Sequence, residues 1–241
     1  MPGNDDLYFH QLLSGSDFAK EDGLARQMVN FCYLIGDRSA REALVVDPAY
    51  GVADILRRLD EDGMRLRGVL VTHFHPDHIG GDMLGYKIEG VRDLLGFVEV
   101  PVHINVAEES WIIESTGIDR SYLHIHDSGD DVTVGNVDIE LVHTPGHTPG
   151  SQCLYFRESL ITGDTLFLEG CGRTDLPGGD PAQIYESITM RLSRIPDGTR
   201  VYPGHFYSQE PSDLLGGVRR RNYVYKIHSR EDWLRTSGIV E

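Results

Sequence analysis

THFHPDHIGG, residues 72–81, follows the apolar run GVLV, which has the composition of a buried strand. Four residues of metal-ligand type fall within six positions of this stretch: His73, His75, Asp77 and His78. We expect His73 and His75 to face one point, because alternate side chains of an extended segment lie on the same side. Asp77 and His78 would face a neighbouring point. Imidazole and carboxylate groups bind zinc, iron and manganese, so the stretch predicts a metal-binding loop.

Three further residues share this setting, a polar side chain at the end of an apolar strand beside glycine or proline. They are His147 in HTPGHTPG, Asp164 after LITG and His205 after RVYPG. The full set suffices for two ions: His73, His75 and His147 around the first, Asp77, His78 and His205 around the second, and Asp164 between them. Two cations about 3.5 Å apart lower the pKa of a shared water towards neutrality and supply a hydroxide nucleophile. The pattern predicts a hydrolase that attacks a carbonyl group, with Asp77 also orienting or carrying a proton.

Hydrophobic period and turn residues divide the chain into strands and helices. Strands are predicted at 31–36, 42–47, 68–72, 100–104 and 200–205, and as pairs within 132–144 and 151–164. Helices are predicted at 52–63, 106–116, 181–194 and 212–225, and a loop rich in glycine and proline at 170–181.

Strand-rich halves that each close with helices favour an α+β fold. We expect an αββα sandwich, in which two mixed β-sheets pack face to face with helices outside. The chain is expected to form one domain over 1–241. It would carry an inserted segment at about 83–126 and a helical C-terminal segment at about 208–241.

Composition limits the classes of function. The chain has 241 residues, of which 40% are apolar, so it can bury a sizeable core. Its 38 acidic and 22 basic residues give a net charge of −16, which repels nucleic acids and anionic membranes. No apolar run approaches the roughly 18 residues that cross a bilayer. The start MPGNDDLYFH lacks a signal-peptide pattern, and the three cysteines show no CxxC spacing. We therefore expect a cytoplasmic protein with reduced thiols that binds neither nucleic acid nor membrane.

Four motifs together resemble the metallo-β-lactamase superfamily, over about residues 30–207. They are THFHPDHIGG, the PGH turn that ends at His147, TGDTLF and YPGH. The resemblance implies the αββα fold, the ligand assignment given above and an active site at the edge between the two sheets. In true β-lactamases of this fold the position of Asp164 usually holds cysteine or serine. A bridging aspartate instead resembles glyoxalase II, persulfide dioxygenases and lactonases, so a β-lactam substrate is disfavoured.

The loop GCGRTD, residues 170–175, is similar to both glyoxalase II-like thioesterases and persulfide dioxygenases. Arg173 would suit a carboxylate of glutathione, because a guanidinium group binds carboxylates in a bidentate manner. An ion pair with Asp175 that shapes the loop is the alternative role. Tyr207, two residues after His205, is a candidate to line the substrate pocket.

Two functions fit this resemblance. The first is a thioester hydrolase of the hydroxyacylglutathione type with two divalent ions, of which zinc is favoured over iron or manganese. The second is a persulfide dioxygenase acting on glutathione persulfide, in which a single Fe(II) would bind His73, His147 and Asp164. A lactone or other ester hydrolase is a third alternative, because the segment 83–126 and the basic run 219–226 differ from both patterns. In each case the partner is a small molecule, such as a glutathione conjugate, and a homodimer stays open.

Overall fold

The computed structural model describes residues 6–236, and two six-stranded β-sheets form its centre. The first sheet has the strand order β1-β2-β3-β4-β7-β8, with the bounds β1 Leu7–Leu13, β2 Phe31–Asp37, β3 Glu42–Val46, β4 Arg65–Leu70, β7 Val102–Asn105 and β8 Leu123–His126. The second has the order β14-β13-β12-β11-β10-β9, with the bounds β9 Asp131–Val134, β10 Val137–His143, β11 Gln152–Phe156, β12 Ser159–Gly163, β13 Arg200–Pro203 and β14 Asp213–Leu214. A separate hairpin consists of β5 Gly81–Met83 and β6 Tyr86–Ile88.

Helices cover the outer faces of the sheets. They are α1 Gly23–Met28, α2 Val52–Glu61, α3 Pro76–Ile79, α4 Val91–Phe97, α5 Glu109–Thr116, α6 Pro181–Thr189, α7 Leu215–Arg221 and α8 Arg230–Thr236. Short 3₁₀ helices lie at Val106–Glu108, Arg120–Tyr122, Arg191–Arg194 and Tyr223–Lys226. The predicted αββα sandwich is confirmed. Within residues 6–236, every helix is too short or too polar to cross a membrane.

The alternation of side chains along the strands separates the core into layers. Ile35 and Leu44 of the first sheet pack with Leu141 and Ile161 of the second, so these side chains fill the space between the sheets. Their neighbours along the strands point the other way, towards the outer helices. Because β2 is covered on both faces, all seven of its residues are buried, which explains the apolar run from Phe31 to Ile35.

Several predicted elements have different ends in the structure. The strand expected at 68–72 occupies Arg65–Leu70, which leaves the following polar stretch outside the sheet. The helix expected at 181–194 ends as an α-helix at Thr189 and is followed by a 3₁₀ turn. Two strands within 83–126 complete the first sheet, because β7 pairs in parallel with β4 and β8 pairs in parallel with β7. The segment predicted as an insertion therefore includes part of the central sheet.

The helix predicted at 212–225 is wrong in its extent, because β14 precedes it and α7 ends at Arg221. Asn222 causes the break. Its buried side chain donates to the carbonyls of Phe167 and Gly170 at 2.9 and 2.8 Å, and its Oδ1 accepts from the Val224 amide at 3.0 Å. These bonds replace the continuation of the helix. The last part of the predicted helical segment 208–241, residues 237–241, lies outside the described residues.

Candidate metal centre

The candidate metal centre lies where strands of both sheets end at one edge. β4 leads into His73 and His75, and the short helix α3, which begins with Pro76, presents Asp77 and His78. In the second sheet, β10, β12 and β13 run in one direction. The segments that follow these strands carry the remaining three side chains, His147, Asp164 and His205. The fold thus brings together ligand-type residues that are far apart in sequence.

His73, His75 and His147 form the first group. Nδ1 of His75 lies 2.9 Å from Nε2 of His147. The ring of His73 lies 4.8 Å from that of His75 and 4.7 Å from that of His147, centroid to centroid, with the planes nearly perpendicular. One nitrogen from each ring lies within 4.8 Å of the other two. The three imidazoles therefore direct nitrogens towards one small volume.

Asp77, His78 and His205 form the second group, and all three are buried. Nε2 of His78 lies 3.2 Å from Nε2 of His205 and 3.7 Å from Oδ2 of Asp77. Nε2 of His205 lies 3.4 Å from the same carboxylate oxygen. These acceptor atoms are close enough to share a cation.

Asp164 lies between the two groups. Its Oδ1 is 3.4 Å from Nε2 of His78, and its Oδ2 is 3.3 Å from Nε2 of His205. The same Oδ2 lies 3.6 Å from Nε2 of His147. Because the carboxylate approaches members of both groups, it has the position that a bridging ligand requires.

Partners outside the centre hold the second nitrogen of four of the five rings. The pairs are Nδ1 of His73 with Oγ1 of Thr72 at 3.0 Å, Nδ1 of His78 with Oδ2 of Asp47 at 3.0 Å, Nδ1 of His147 with the carbonyl of Arg173 at 2.7 Å, and Nδ1 of His205 with the carbonyl of Met28 at 2.8 Å. Such partners fix the ring orientation and leave Nε2 available as a ligand.

Two polar atoms in the centre are unpaired. Nε2 of His73 and Oδ1 of Asp164 are buried and have no hydrogen-bond partner among residues 6–236. A buried polar group without a partner costs about 1–3 kcal/mol, and a bound cation would satisfy both atoms. The donor set of imidazoles and carboxylates suits zinc, iron or manganese. The residues therefore fit metal ions at this position.

The two groups differ in charge. Burial lowers the pKa of His73 well below its ordinary value and that of His75 to about 4, so the first group is neutral. Burial also disfavours charge on His78, but the carboxylates of Asp164 and Asp77 raise its pKa to about 10. The two carboxylates thus attract positive charge to the second group, and a bound cation can supply it in place of a proton.

Two glycines permit the close packing around the ligands. A Cβ atom on Gly204 would lie 2.3 Å from Oδ1 of Asp164 and 2.9 Å from Cε1 of His78. A Cβ atom on Gly172 would lie 2.7 Å from Nδ1 of His147. Any side chain at these positions would displace a ligand, which explains one glycine each in YPGH and GCGRTD.

The two candidate substrate residues border the centre. Arg173 makes a bidentate ion pair with Asp175, in which Nε and Nη2 each donate to a carboxylate oxygen at 2.6 Å. Its backbone carbonyl is the partner of His147, so this loop also orients a ligand. Tyr207 stacks on the ring of His205 at 4.6 Å, and 55% of the residue is exposed. Its ring therefore lies at the solvent side of the second group.

Sequence reasoning missed three residues beside the centre, Asn30, Asp47 and Glu108. Asp47 follows β3 and precedes Pro48, the same strand-end setting that identified the ligands, so a signal was present. Its Oδ1 accepts from the Thr72 amide at 2.8 Å and its Oδ2 from the Thr72 hydroxyl at 2.6 Å. Although Asp47 also lies near ring nitrogens of the centre, these bonds make it an outer partner.

Asn30 and Glu108 carry no local signal. The side chain of Asn30 enters the second group, with Nδ2 donating to Oδ2 of Asp77 at 3.1 Å. Oε1 of Glu108 accepts from the hydroxyl of Thr148 and the amide of Gly150 at 2.8 and 2.6 Å, beside the loop that carries His147. The remaining histidines take no part in either ligand group; they are His10, His103, His124, His126, His143 and His228.

An αββα sandwich with histidine and aspartate ligands at the edge between its sheets defines a class of metal-dependent enzyme. The model of the metallo-β-lactamase superfamily matches residues 25–205, and the chain belongs to this superfamily. The resemblance indicated by the motifs is thereby confirmed. The branch is also supported, because persulfide dioxygenase-like proteins are among its relatives.

Three relatives illustrate the range of activities. The chain is 31% identical over 206 residues to the probable polyketide biosynthesis zinc-dependent hydrolase PksB of Bacillus subtilis, with 86% of each chain covered. It is 34% identical over 195 residues to the mitochondrial persulfide dioxygenase ETHE1 of Bos taurus, with 76% of this chain and 68% of the relative covered. The crystal structure of ETHE1 from Myxococcus xanthus matches with a TM-score of 0.78 and 29% identity, over 96% of this chain and 90% of the other.

Proposed function

We propose that the protein is a hydrolase that uses two divalent ions to cleave a thioester of the hydroxyacylglutathione type. The observation that carries this proposal is the complete second group, Asp77, His78 and His205, which Asp164 joins to the first. Keeping buried carboxylates and imidazoles together is costly unless a cation neutralises them. The name of PksB, a zinc-dependent hydrolase, supports the same reaction class.

When bound, the two ions would supply a hydroxide nucleophile near neutral pH and polarise the carbonyl oxygen of the substrate. The chain keeps the ligands in place and excludes water from them, since His73 and Asp164 are buried. In the absence of an ion, Nδ2 of Asn30 donates to Oδ2 of Asp77. Burial raises the pKa of Asp77, but His78 and His205 outweigh it and lower the pKa, so the carboxylate is ionised at neutral pH. It can therefore accept a hydrogen bond from the nucleophile and orient it.

The leaving group also favours a thioester. A thiol has an ordinary pKa of about 8.5, so its anion leaves without much help from a general acid. The centre needs only its ligands and a nucleophile to complete the reaction. An amide, whose leaving group requires protonation, would need a further acid.

A persulfide dioxygenase is the second candidate, supported by the likeness to ETHE1 of Bos taurus and Myxococcus xanthus. A single iron bound by His73, His147 and Asp164 would keep coordination positions open for sulfur and dioxygen. These three residues are also candidate ligands of the two-ion hydrolase. The identity of the ligands therefore does not distinguish the two functions, and an experiment is needed.

Metal content and two activities distinguish the candidates. We would purify the protein without added metal, count its ions, and measure thiol release from S-lactoylglutathione and oxygen uptake with glutathione persulfide. The proposal expects two divalent ions per chain and thiol release. One iron per chain with oxygen uptake would replace it with the second candidate, and neither activity would direct attention to lactones or other esters. His205→Ala should lose thiol release, whereas the exposed His228→Ala should retain it.

The glutathione part of the substrate can be tested separately. Asp175 already engages the Nε–Nη2 edge of the Arg173 guanidinium, which would otherwise be available to bind a glutathione carboxylate. Comparing S-lactoylglutathione with an acyl thioester of N-acetylcysteamine shows whether glutathione contributes. If Arg173 binds the substrate, Arg173→Ala raises KM for the glutathione thioester alone. An equal effect on both substrates would show that Arg173 shapes its loop and orients His147 instead of binding glutathione.

A further inference from the structure

Asn30 is held against the second ligand group by the backbone. It is 4% exposed and pairs with His205 in an isolated antiparallel bridge. The Phe31 amide donates to the carbonyl of Gly204 at 2.8 Å, and the Phe206 amide donates to that of Val29 at 2.9 Å. These bonds fix the backbone at Asn30 and at His205. The side chain of Asn30 therefore points towards the ligands.

The amide nitrogen of Asn30 completes a tetrahedron with the three ligand atoms of the second group. Nδ2 lies 3.1 Å from Oδ2 of Asp77, 3.2 Å from Nε2 of His78 and 3.5 Å from Nε2 of His205. The three ligand atoms lie 3.2 to 3.7 Å from one another. A regular tetrahedron with edges of about 3.3 Å has its centre about 2.0 Å from each corner, which is the zinc–nitrogen distance. The amide therefore occupies the fourth corner of this tetrahedron, and Asp164 would be a fifth ligand beside it.

The hydrogen bonds of this amide do not balance. When the imidazoles are neutral, as metal ligands are, Nδ2 has two hydrogens but faces three acceptors, because the other nitrogens of His78 and His205 are already engaged by Asp47 and Met28. The carbonyl oxygen, Oδ1, is buried and has no hydrogen-bond partner among the described residues. The two ends of an asparagine amide have nearly the same shape, so a rotation of 180° exchanges them without changing the packing.

We propose that Oδ1 of Asn30 is a further protein ligand of the second ion, reached by this rotation of the amide. The proposal rests on the two-ion arrangement of the proposed function. After rotation, the oxygen takes the fourth corner and the three acceptors face the cation instead of sharing two hydrogens. In both orientations of the amide, one of its ends lacks a hydrogen-bond partner among the described residues. The contact between Oδ1 and the cation therefore determines which orientation is more stable.

This ligand makes the two positions chemically different. The second position would receive oxygen atoms from Asp77, Asp164 and Asn30 beside two imidazoles, whereas the first is built from three imidazoles and Asp164. Carboxylate and carbonyl oxygens suit manganese, and imidazole suits zinc and iron. We therefore expect the second position to accept Mn²⁺ more readily than the first.

Two substitutions test the proposal by calorimetric titration of the metal-free, full-length protein with Mn²⁺. Asn30→Ala removes the oxygen, and we expect the second ion to bind about 10- to 100-fold more weakly, while the first binds as in the wild type. Asn30→Asp keeps an oxygen at the fourth corner but cannot donate to Asp77, and we expect it to bind the second ion at least as tightly as the wild type. The unchanged first ion reports that each variant is folded, and His228→Ala is the matched control.

The outcomes separate this proposal from the proposed function. If Asn30→Ala binds both ions as the wild type does, or if Asn30→Asp loses the second ion as severely as Asn30→Ala, Asn30 is not a ligand and the two-ion function stands. If Asn30→Asp loses the second ion as severely as Asn30→Ala, the role of Asn30 would be to donate a hydrogen bond to Asp77. A wild-type protein that binds only one ion overturns both proposals. Two ions with the expected variant effects, but without thiol release, would support the ligand and overturn the thioesterase.

Discussion

At the scale of single residues, Asp164 has the widest influence on the centre. Its two oxygens approach His78, His205 and His147, so one side chain connects both ligand groups. Among the seven candidate ligands, His205 approaches only Asp77, His78 and Asp164. Removal of Asp164 should therefore affect both ligand groups, whereas removal of His205 should affect mainly the second.

We expect Asp164→Asn to weaken the binding of both ions together, because the amide carries no charge and offers one oxygen instead of two. His205→Ala should mainly empty the second position. Metal titration of each variant, with the two binding steps resolved, provides the measurement. Independent losses of similar size in both variants would argue against a bridging carboxylate.

Glu108 illustrates how a residue outside the centre supports it. Its buried carboxylate accepts hydrogen bonds from Thr148 and Gly150, in the turn after His147. Burial raises the pKa of Glu108 to about 7, while these bonds and the Phe74 amide act in the opposite direction. Phe74 lies between His73 and His75, so the carboxylate is placed between the loops that carry all three histidines of the first group.

Replacing Glu108 by Ala should lower the free energy of unfolding by about 2–4 kcal/mol, because two buried donors lose their acceptor. Glu108→Gln keeps an acceptor oxygen and should cost less. Denaturant titration measures both, with the exposed Glu114→Ala in the following helix α5 as a control expected to stay within about 0.5 kcal/mol. Equal stability of Glu108→Ala and the control would contradict this role.

At the scale of elements, a hydrogen-bonded link joins the two sheets at the edge opposite the metal centre. β2 begins beside the centre and ends at Asp37, whose Oδ2 accepts from the backbone amide and the side chain of Asn136, both at 2.7 Å. Asn136 belongs to the turn between β9 and β10. Gly135 is needed there, since its φ is 57° and a Cβ would lie 2.4 Å from Cβ of Asp37.

This link makes part of the stability depend on pH. The Ser39 hydroxyl, with the amides of Asn136, Ala40 and Ser39, outweighs burial and holds the pKa of Asp37 well below its usual range. A depressed carboxyl pKa stabilises the fold above the unfolded value of about 3.9, and this contribution is lost as the pH falls below it towards the folded value.

We therefore expect Asp37→Asn to lower the free energy of unfolding by about 2 kcal/mol at pH 7, and by less as the pH is reduced below about 4. Urea titrations of the wild type and the variant at pH 7 and pH 3 measure the difference. The exposed Asp60→Asn should show no such change. A difference that is the same at both pH values would contradict the assignment.

The sandwich and the residues that cluster at its edge could be predicted because their signals are local. His73, His75, Asp77 and His78 lie within one short stretch, and strand ends beside glycine or proline mark the others. The role of Asn30 could not be predicted, since it depends on backbone pairing with a segment 175 residues away. The end of α7 was missed for the same reason, because the partners of Asn222 lie in a distant loop.

At the scale of the whole molecule, the net charge of −16 favours cations, so an anionic glutathione thioester would need local basic groups to bind. The basic run near the C-terminus does little to reverse this. Arg219 forms an ion pair with Asp197 and donates to the carbonyl of Leu192 at 2.8 Å, and Arg221 forms an ion pair with Asp213. These two arginines are therefore engaged in holding α7 and the segments beside it.

Binding of metal should stabilise the folded chain as a whole. A ligand present at about 100 times its Kd and bound only by the folded state adds about 2.7 kcal/mol. For a chain of this size, each kcal/mol raises Tm by about 2–4 °C, so removal of the ions by a chelator should lower Tm by about 5–10 °C. Calorimetry before and after addition of Zn²⁺ or Mn²⁺ measures this. If the chelator left the Tm of the wild type unchanged, or if added metal restored the Tm of Asp164→Ala fully, stabilisation by metal at this centre would be contradicted.

Anomalous diffraction from crystals of the metal-loaded protein, recorded at the absorption edge of the bound element, tests the central claim most directly. We predict two peaks about 3.5 Å apart on either side of the Asp164 carboxylate, one among His73, His75 and His147 and the other among Asp77, His78 and His205. A single peak, or peaks away from Asp164, would contradict a centre in which this carboxylate joins two ions.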